Sequence, residues 1–351
     1  MARSSIRPAT PADTPALYAL MKEAGLRVPH VESEHLNWKY WHERSDWPGP
    51  RTFVMTRGEE LLAHAAVVPG ACLTDSPTAT THRVRTLHLI DWAARPTATG
   101  AGVSLLKYLG QTTDALLSIG GSAQTLQLLP HLGFHRSGVA TCFVRPLHPL
   151  RILTPSVHPL SRLLPRLVRS TWWKLRAPSA GTNGWNVRRI ESRDLSYVTS
   201  VLPAPVRDMA VFERSADLFR YVLACPIAPT DLYIMEREGR ARGYFLLSYA
   251  RRQARLADYW MGSEDPADWR ALIQCAVREA LKHPRAAELA VWGSDAACVE
   301  RLRECGFHVR GTLPVQILAP RHPELAACAL RVQMLDNDAV YLHGHRNAFW
   351  A

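Results

Sequence analysis

Two stretches of the chain, IRPATPAD from Ile6 and VRRIESRD from Val187, each set an apolar residue before an arginine and close on an aspartate (Asp13 and Asp194), 181 residues apart. The offset persists. Trp38-Lys39-Tyr40 falls on Phe219-Arg220-Tyr221 at the same 181, and FVMTRGEE (Phe53 to Glu60) falls on YIMEREGR (Tyr233 to Arg240) at 180. LIDW (Leu89 to Trp92) answers LADY (Leu256 to Tyr259) at 167, and HLGFH (His131 to His135) answers ECGFH (Glu304 to His308) at 173. Collinear matches with a drifting offset are what a duplicated unit leaves after loop insertions and deletions. The chain therefore reads as two copies of one fold, residues 1–146 and 184–351, around a connector at 147–183.

The connector, LHPLRILTPSVHPLSRLLPRLVRSTWWKLRAPSAGTN, is rich in proline and holds no acidic residue. Its centre predicts a short amphipathic helix with Arg162, Arg166 and Arg169 on one face and Leu160, Leu163, Leu164 and Leu167 on the other, kinked at Pro165. Such a helix lies on anionic lipid, receives a nucleic acid, or docks its leucines on a neighbouring domain. The formal charge of +11 over 351 residues favours anionic partners of the same kinds. No apolar run approaches the roughly 20 residues of a membrane-spanning helix, and the N-terminal stretch lacks the apolar centre of a secretion signal. A cytoplasmic protein is expected. Seven cysteines, odd in number and without a C-x-x-C, predict reduced buried thiols, with neither a disulfide framework nor a metal site.

Within the first copy, a strand at Ser4 to Pro8, a helix over Ala12 to Ala24 and the aromatic segment HLNWKYW precede two strands, RTFVMTRG and LLAHAAVVPGACL, joined at Gly58-Glu59. RVRTLHLIDWAA reads as a fourth strand and DALLSIG as a fifth. SAQTLQLLPHLGF reads as a helix closed at Gly133, and GVATCFVRPL as the last strand. This alternation implies an α/β fold. Between the fourth and fifth strands, in ARPTATGAGVSLLKYL, Gly100 and Gly102 introduce the apolar run Val103, Leu105, Leu106 and Leu109, spaced for a helix. A strand feeding a glycine loop and a helix N-terminus is a natural phosphate seat. An ordinary tight turn uses the same glycines.

These residues resemble the GNAT superfamily of acyl-CoA-dependent N-acyltransferases. TATGAG, Thr97 to Gly102, stands where that family has a Q/R-x-x-G-x-G/A loop, and VSLLKYL matches its leucine-rich helix. HLGF and ECGF look like the family motif that ends in leucine-glycine-phenylalanine, and IRPATPADTPAL is similar to its usual opening. The resemblance implies tandem GNAT-like domains, each a mixed central sheet flanked by helices. It also implies that acetyl-CoA, or another acyl-CoA, binds along Trp92, Ala93, Ala94, Arg95, Thr97, Ala98, Thr99, Gly100, Ala101, Gly102 and Val103. Thr97 replaces the family's glutamine or arginine. The tyrosine that many members use as general acid is replaced by Leu129 in the first copy and Leu302 in the second. In the second copy MGSEDPADW (Met261 to Trp269) puts Glu264, Asp265 and Asp268 at the positive end of the following helix, where they cap it and repel a pyrophosphate. The cofactor is expected in the first copy; the second supports the fold or the acceptor site.

Attack of a neutral amine on a thioester needs a proton acceptor and donors for the oxyanion. Period-two alternation along the fourth strand places Leu87, Leu89 and Asp91 on one face and His88, Ile90 and Trp92 on the other. On that count His88 and Asp91 face different sides of the sheet. Asp91, at the strand's end beside the glycine loop, is the first candidate base. The competing reading, which its counterpart Asp258 shares, is a structural cap bonded to backbone. His88 and His64 are the other candidate bases, with a satisfied core histidine as the alternative for His64. Trp38 and Tyr40 recur as Phe219 and Tyr221 and read as core, which leaves Trp41 as the candidate acceptor contact. Three classes of function fit: an acyltransferase that acetylates a primary amine of a small molecule or amino sugar by direct attack, a transferase resembling the Fem group and using aminoacyl-tRNA, and a non-catalytic binding protein on a decayed pair.

Overall fold

The computed structural model describes residues 3–26, 33–75, 81–153, 160–181, 184–205, 209–250 and 252–341. The first copy runs β1 (Ser4–Pro8), α1 (Thr14–Glu23), a short α2 (Ser33–Leu36) continued by a π-turn at Asn37–Trp41, β2 (Thr52–Arg57), β3 (Glu60–Thr74), β4 (His82–Ala94), α3 (Ala101–Thr112), β5 (Ala115–Ile119), α4 (Ala123–Leu128) and β6 (His135–Pro146). The connector carries α5 (Leu160–Arg176). The second copy repeats the plan with β7 (Asn186–Ile190), a 3-10 segment at Ser192–Val201, β8 (Met209–Phe212), α6 (Ala216–Leu223), β9 (Thr230–Arg237), β10 (Arg240–Ala250), β11 (Gln253–Met261), α7 (Pro266–Lys282), β12 (Glu288–Gly293), α8 (Ala296–Glu304) and β13 (His308–Leu318). A closing segment adds α9 (Pro323–Ala327) and β14 (Ala329–Arg331).

The repeat in the sequence is also a repeat in hydrogen-bond register. Ile6 faces Met55 across β1 and β2, and Val187 faces Met235 across β7 and β9. β4 pairs in parallel with β5 only over Thr86 to Leu89, and β11 with β12 only over Gln253 to Leu256. Both α/β units also close their last helical turn alike. Gly133 and Gly306 take left-handed φ values of 87° and 76°, and the next amides, of Phe134 and Phe307, donate back to Leu129 O and Leu302 O. Each phenylalanine is buried beside its leucine, which is the apolar contact such a cap favours. That packing accounts for Leu129 and Leu302: both are fully buried and serve the cap.

The two copies share one sheet, in the order β1-β2-β3-β4-β5-β13-β6-β12-β11-β10-β9-β7. β13, the last strand of the second copy, pairs with β5 of the first, while β6 pairs with β12. Each copy thus completes the other's sheet, through equivalent pairs such as Leu117 with Ile317 and Ala290 with Val144. After β13 the chain returns between the copies. β14 pairs with β8, which pairs in turn with β3 at Cys72 and Leu73, and the turns at 334–340 pack over the seam.

Candidate active site at the split of β4 and β5

Beyond Leu89 the two parallel strands diverge, so the β5-facing edge of β4 from Ile90 to Ala94 has no strand partner among the described residues. α3 begins at this opening. Its N-cap Gly100 has φ 81°, a conformation that L side chains rarely adopt, and a Cβ there would meet no atom within 4 Å. Ala101 N–H is taken by Ala98 O and Ser104 N–H by Gly100 O, which leaves Gly102 and Val103 as first-turn amides with no backbone acceptor among the described residues. Thr97, Thr99 and Gly100 are exposed, while Ala98, Ala101 and Ala93 are buried beneath them. Trp92 braces the turn by donating from Nε1 to Gly102 O at 3.0 Å. Arg95 is already engaged: Nη1 pairs with Glu23 at 2.7 Å, and Nε donates to Leu61 O at 2.8 Å. What this turn offers an anion is therefore backbone amides and the helix dipole, not a free arginine side chain.

The strand that carries Asp91 does not keep a period of two. Ala66 pairs with Asp91 and Val67 with Leu89, so Ile90 is an extra residue, a β-bulge. One inserted residue reverses the facing of everything after it. Trp92 joins Leu87 and Leu89 against α3, and Asp91 turns to the same side as His88. The expectation that His88 and Asp91 lie on opposite faces is corrected on this ground. β11 has the equivalent bulge at Ala257.

Asp91 accepts from Tyr40 OH at 2.7 Å and pairs with Lys39 Nζ at 2.6 Å; Lys39 also pairs with Asp338 at 2.5 Å. Among the described residues the partners of Asp91 are side chains, not the backbone a cap would bond. Burial opposes the charge on Asp91, but Lys39 more than offsets it and holds the carboxyl below its usual range. Burial likewise opposes charge on Lys39, and Asp338 and Asp91 together raise it above the usual lysine value. Burial raises Asp338 and, reinforced by the Asp91 charge, raises the Tyr40 phenol well above 10. Of these four side chains Asp91 reaches solvent most, at 20% exposure. Tyr40, seated by Met21 and Leu36, meets the ring of His64 edge-on at 5.3 Å.

Both candidate histidines are buried and neutral. His64 is fully enclosed, neither ring nitrogen has a hydrogen-bond partner among the described residues, and burial pushes its pKa down to about 4. His88 bonds through Nδ1 to Asp336 O and accepts at Nε2 from Asn337 at 3.2 Å, also with a pKa near 4 through burial. Trp41 is half-buried and donates to Thr14 Oγ1 at 3.0 Å, while Trp38 and Tyr40 are buried as expected of core.

No family model and no curated protein matches the sequence. Solved structures do match its fold. A GCN5-related N-acetyltransferase from Kribbella flavida superposes with a TM-score of 0.58 at 13% identity, covering 92% of this chain and 72% of that one. One from Anabaena variabilis gives 0.56 at 11%, covering 90% and 73%. The N-myristoyltransferase of Saccharomyces cerevisiae with bound myristoyl-CoA gives 0.58 at 12%, covering 91% and 79%. The chain has the GNAT fold. Identities this low show the fold alone.

The second GNAT-like copy has the same split but closes it differently. Asp265 caps α7 by accepting from Ala267 N–H at 2.8 Å, as expected of that segment, while Asp268 pairs instead with Arg237 at 3.6 Å. Asp258, the counterpart of Asp91, is fully buried, held in a fork by Arg214 at 2.7 and 2.9 Å and by Tyr244 OH at 2.7 Å. Arg214 also pairs with Asp336 at 2.7 Å. Against this second split lies a cavity of about 560 Å³ walled by Tyr259, Trp260, Trp269 and Arg331. A smaller one of about 260 Å³ lies at the seam of the copies, reached by Lys39, Arg51, Arg214, Tyr221 and Asp336. Sequence reasoning missed Lys39, Arg214, Asp336 and Asp338. The one signal was a lysine inside an aromatic core segment, which demands a buried carboxylate partner.

Proposed function

We propose that the chain transfers an acyl group, acetyl in the simplest case, from an acyl-CoA thioester to a primary amine of a small molecule or amino sugar. The observation that carries this reading is an asymmetry between two equivalent splits. The first opens onto an exposed helix start free of carboxylates, beside a partly exposed Asp91; the second opens onto a helix already capped by Asp265. Gly102 and Val103 amides would hold the pyrophosphate, and the open edge of β4 would pair with the amides of the pantetheine arm. The thioester supplies an acyl carbon with a good leaving group. Asp91 then orients the incoming amine. Once bonded to the acyl carbon the nitrogen is strongly acidic, so a carboxylate of lowered pKa is still able to take its proton. Leu129 offers no acid to the departing thiolate, which takes its proton from solvent.

Calorimetric titration with acetyl-CoA tests the placement. Wild type is expected to bind one equivalent, Gly100→Asp to lose binding through like charge against the pyrophosphate, and Gly262→Asp to bind nearly as wild type. Equal losses at the two glycines would overturn it. The cavity of about 560 Å³ favours a second reading, in which the ligand lies in the second copy. Binding that survives Gly100→Asp and fails on Trp269→Ala would select that reading.

A further inference from the structure

We propose that the outer face of α5 docks on an anionic lipid surface. Pro165 leaves the helix continuous over Leu160–Arg176, and the side chains of Leu160 and Arg162 lie outside the described residues. The leucines do not form one face, as the sequence suggested. Leu163 is buried with Ala287, Ser170 is fully buried, and Trp173 stacks on His308 at 4.0 Å and 12°. This row fastens the helix to the body. A second apolar row points away: Leu164 is 54% exposed, Val168 68%, Trp172 51% and Leu175 78%. At 3.6 residues per turn these four fall within an arc of about 80°. Leu150, 74% exposed, sits in the 3-10 turn Pro149–Leu153 that packs beside α5. Four large apolar side chains in one exposed row mark a surface that something covers.

Charge decides what covers it. Lys174 flanks the row on one side, Arg169 and Arg176 on the other, with Arg176 3.6 Å from the centroid of the Trp172 ring. The Arg169 Nε and Nη2 atoms are buried, without a hydrogen-bond partner among the described residues, so the cations presented to solvent beside the row are Lys174 and Arg176. Burial, and then repulsion from Arg310 and Arg166, lowers the Arg169 pKa, with Glu288 as the acid that opposes this. A second copy of the chain would set these cations against their equals. A nucleic acid would supply phosphates but no sink for Leu164, Val168 and Leu175. Anionic lipid supplies both: headgroup phosphates for Lys174 and Arg176 and acyl chains for the apolar row. No helix among the described residues is long and apolar enough to cross a membrane, so the contact lies in the plane of the interface.

Flotation of the full chain with vesicles tests this. With phosphatidylglycerol and phosphatidylcholine in about equal amounts the protein is expected to float, and with phosphatidylcholine alone to stay behind. Replacing Leu164, Val168, Trp172 and Leu175 together by Gln should reduce partitioning at least about tenfold while circular dichroism and melting temperature stay near wild type, because the buried row is untouched. Should that variant lose structure, Leu175→Gln alone, at the most exposed position, must still weaken flotation. Four results would each overturn the proposal: no flotation on anionic vesicles, equal flotation on neutral ones, unchanged flotation of a folded variant, or a dimer in sedimentation that the variant disperses.

Discussion

Replacing Asp91 by Asn separates chemistry from scaffolding, because Asp258→Asn makes the same change in the second copy. At position 91 the amide keeps an oxygen for Tyr40 OH, and Lys39 keeps Asp338. What is lost is one charge-assisted contact at a partly exposed site, a cost of about 1.5–3 kcal/mol. At position 258 the loss is the fork from Arg214 in a fully buried setting. Breaking such a pair costs about 3–5 kcal/mol. At roughly 2 °C per kcal/mol for a chain of this size, the melting temperatures should fall by about 3–6 °C for Asp91→Asn and about 6–10 °C for Asp258→Asn. Turnover should order the other way. With an amine found by screening for release of free CoA thiol, Asp91→Asn should lose the roughly 10²–10⁴ expected of a missing proton acceptor, with acetyl-CoA affinity within a few fold. Asp258→Asn, assayed well below its melting temperature, should turn over nearly as wild type. A stable Asp91→Asn protein with unchanged turnover would remove Asp91 from the chemistry. Equal losses of activity in the two variants would show that both aspartates act through stability.

Direct attack needs no acyl-enzyme, and burial pushes the Cys142, Cys275 and Cys305 thiols up to about 11 and Cys298 to about 12, so each single Cys→Ser variant should keep its turnover. His64 has a folded pKa near 4 against about 6.5 unfolded, so it contributes stability that is full above pH 6.5 and lost as pH falls toward 4. Urea melts should show wild type losing about 2 kcal/mol more between pH 7 and pH 5 than His64→Leu, and parallel curves would refute the burial argument. Expressed alone, residues 1–146 would leave β6 without β12 and β13 and β5 without β13. That fragment should fail to give a cooperative melt, and a well-folded fragment would show that the strand exchange is dispensable.

The features legible in the sequence are those whose cause is local. The glycine that closes the 3-10 turn after α4, the aspartate that caps α7 and the hairpin of β2 and β3 each answer to a few neighbouring residues, so motif and structure coincide. The bulge at Ile90 was hidden because alternation counts residues and is blind to one that drops out of the ladder; Asp91 was assigned to the wrong face for that reason alone. Lys39 and Asp338 were out of reach for another reason. They are joined only when the closing segment returns across the seam, and nothing near either residue announces the other. The exchange of β6 and β13 is equally unreadable: the two strands are equivalent elements of a duplication, and either would satisfy either sheet edge.

Duplication also explains how the copies came to differ without losing the common fold. Each β-bulge turns an aspartate into the interior, and a buried carboxylate must be matched by a cation. The second copy meets this with Arg214, a rigid fork that satisfies both carboxylate oxygens of Asp258 and shuts the site from water. The first meets it with Lys39, a single ammonium shared between Asp91 and Asp338, which leaves Asp91 part of its surface. Because β6 and β13 tie the sheets together, the second copy can close its aspartate and cap its helix with Asp265 while still supplying the strand on which the first depends. The closing segment adds a further tie: Asp336 meets Arg214 and Asp338 meets Lys39, so one short turn holds both ion-pair networks and sets the wall behind Asp91.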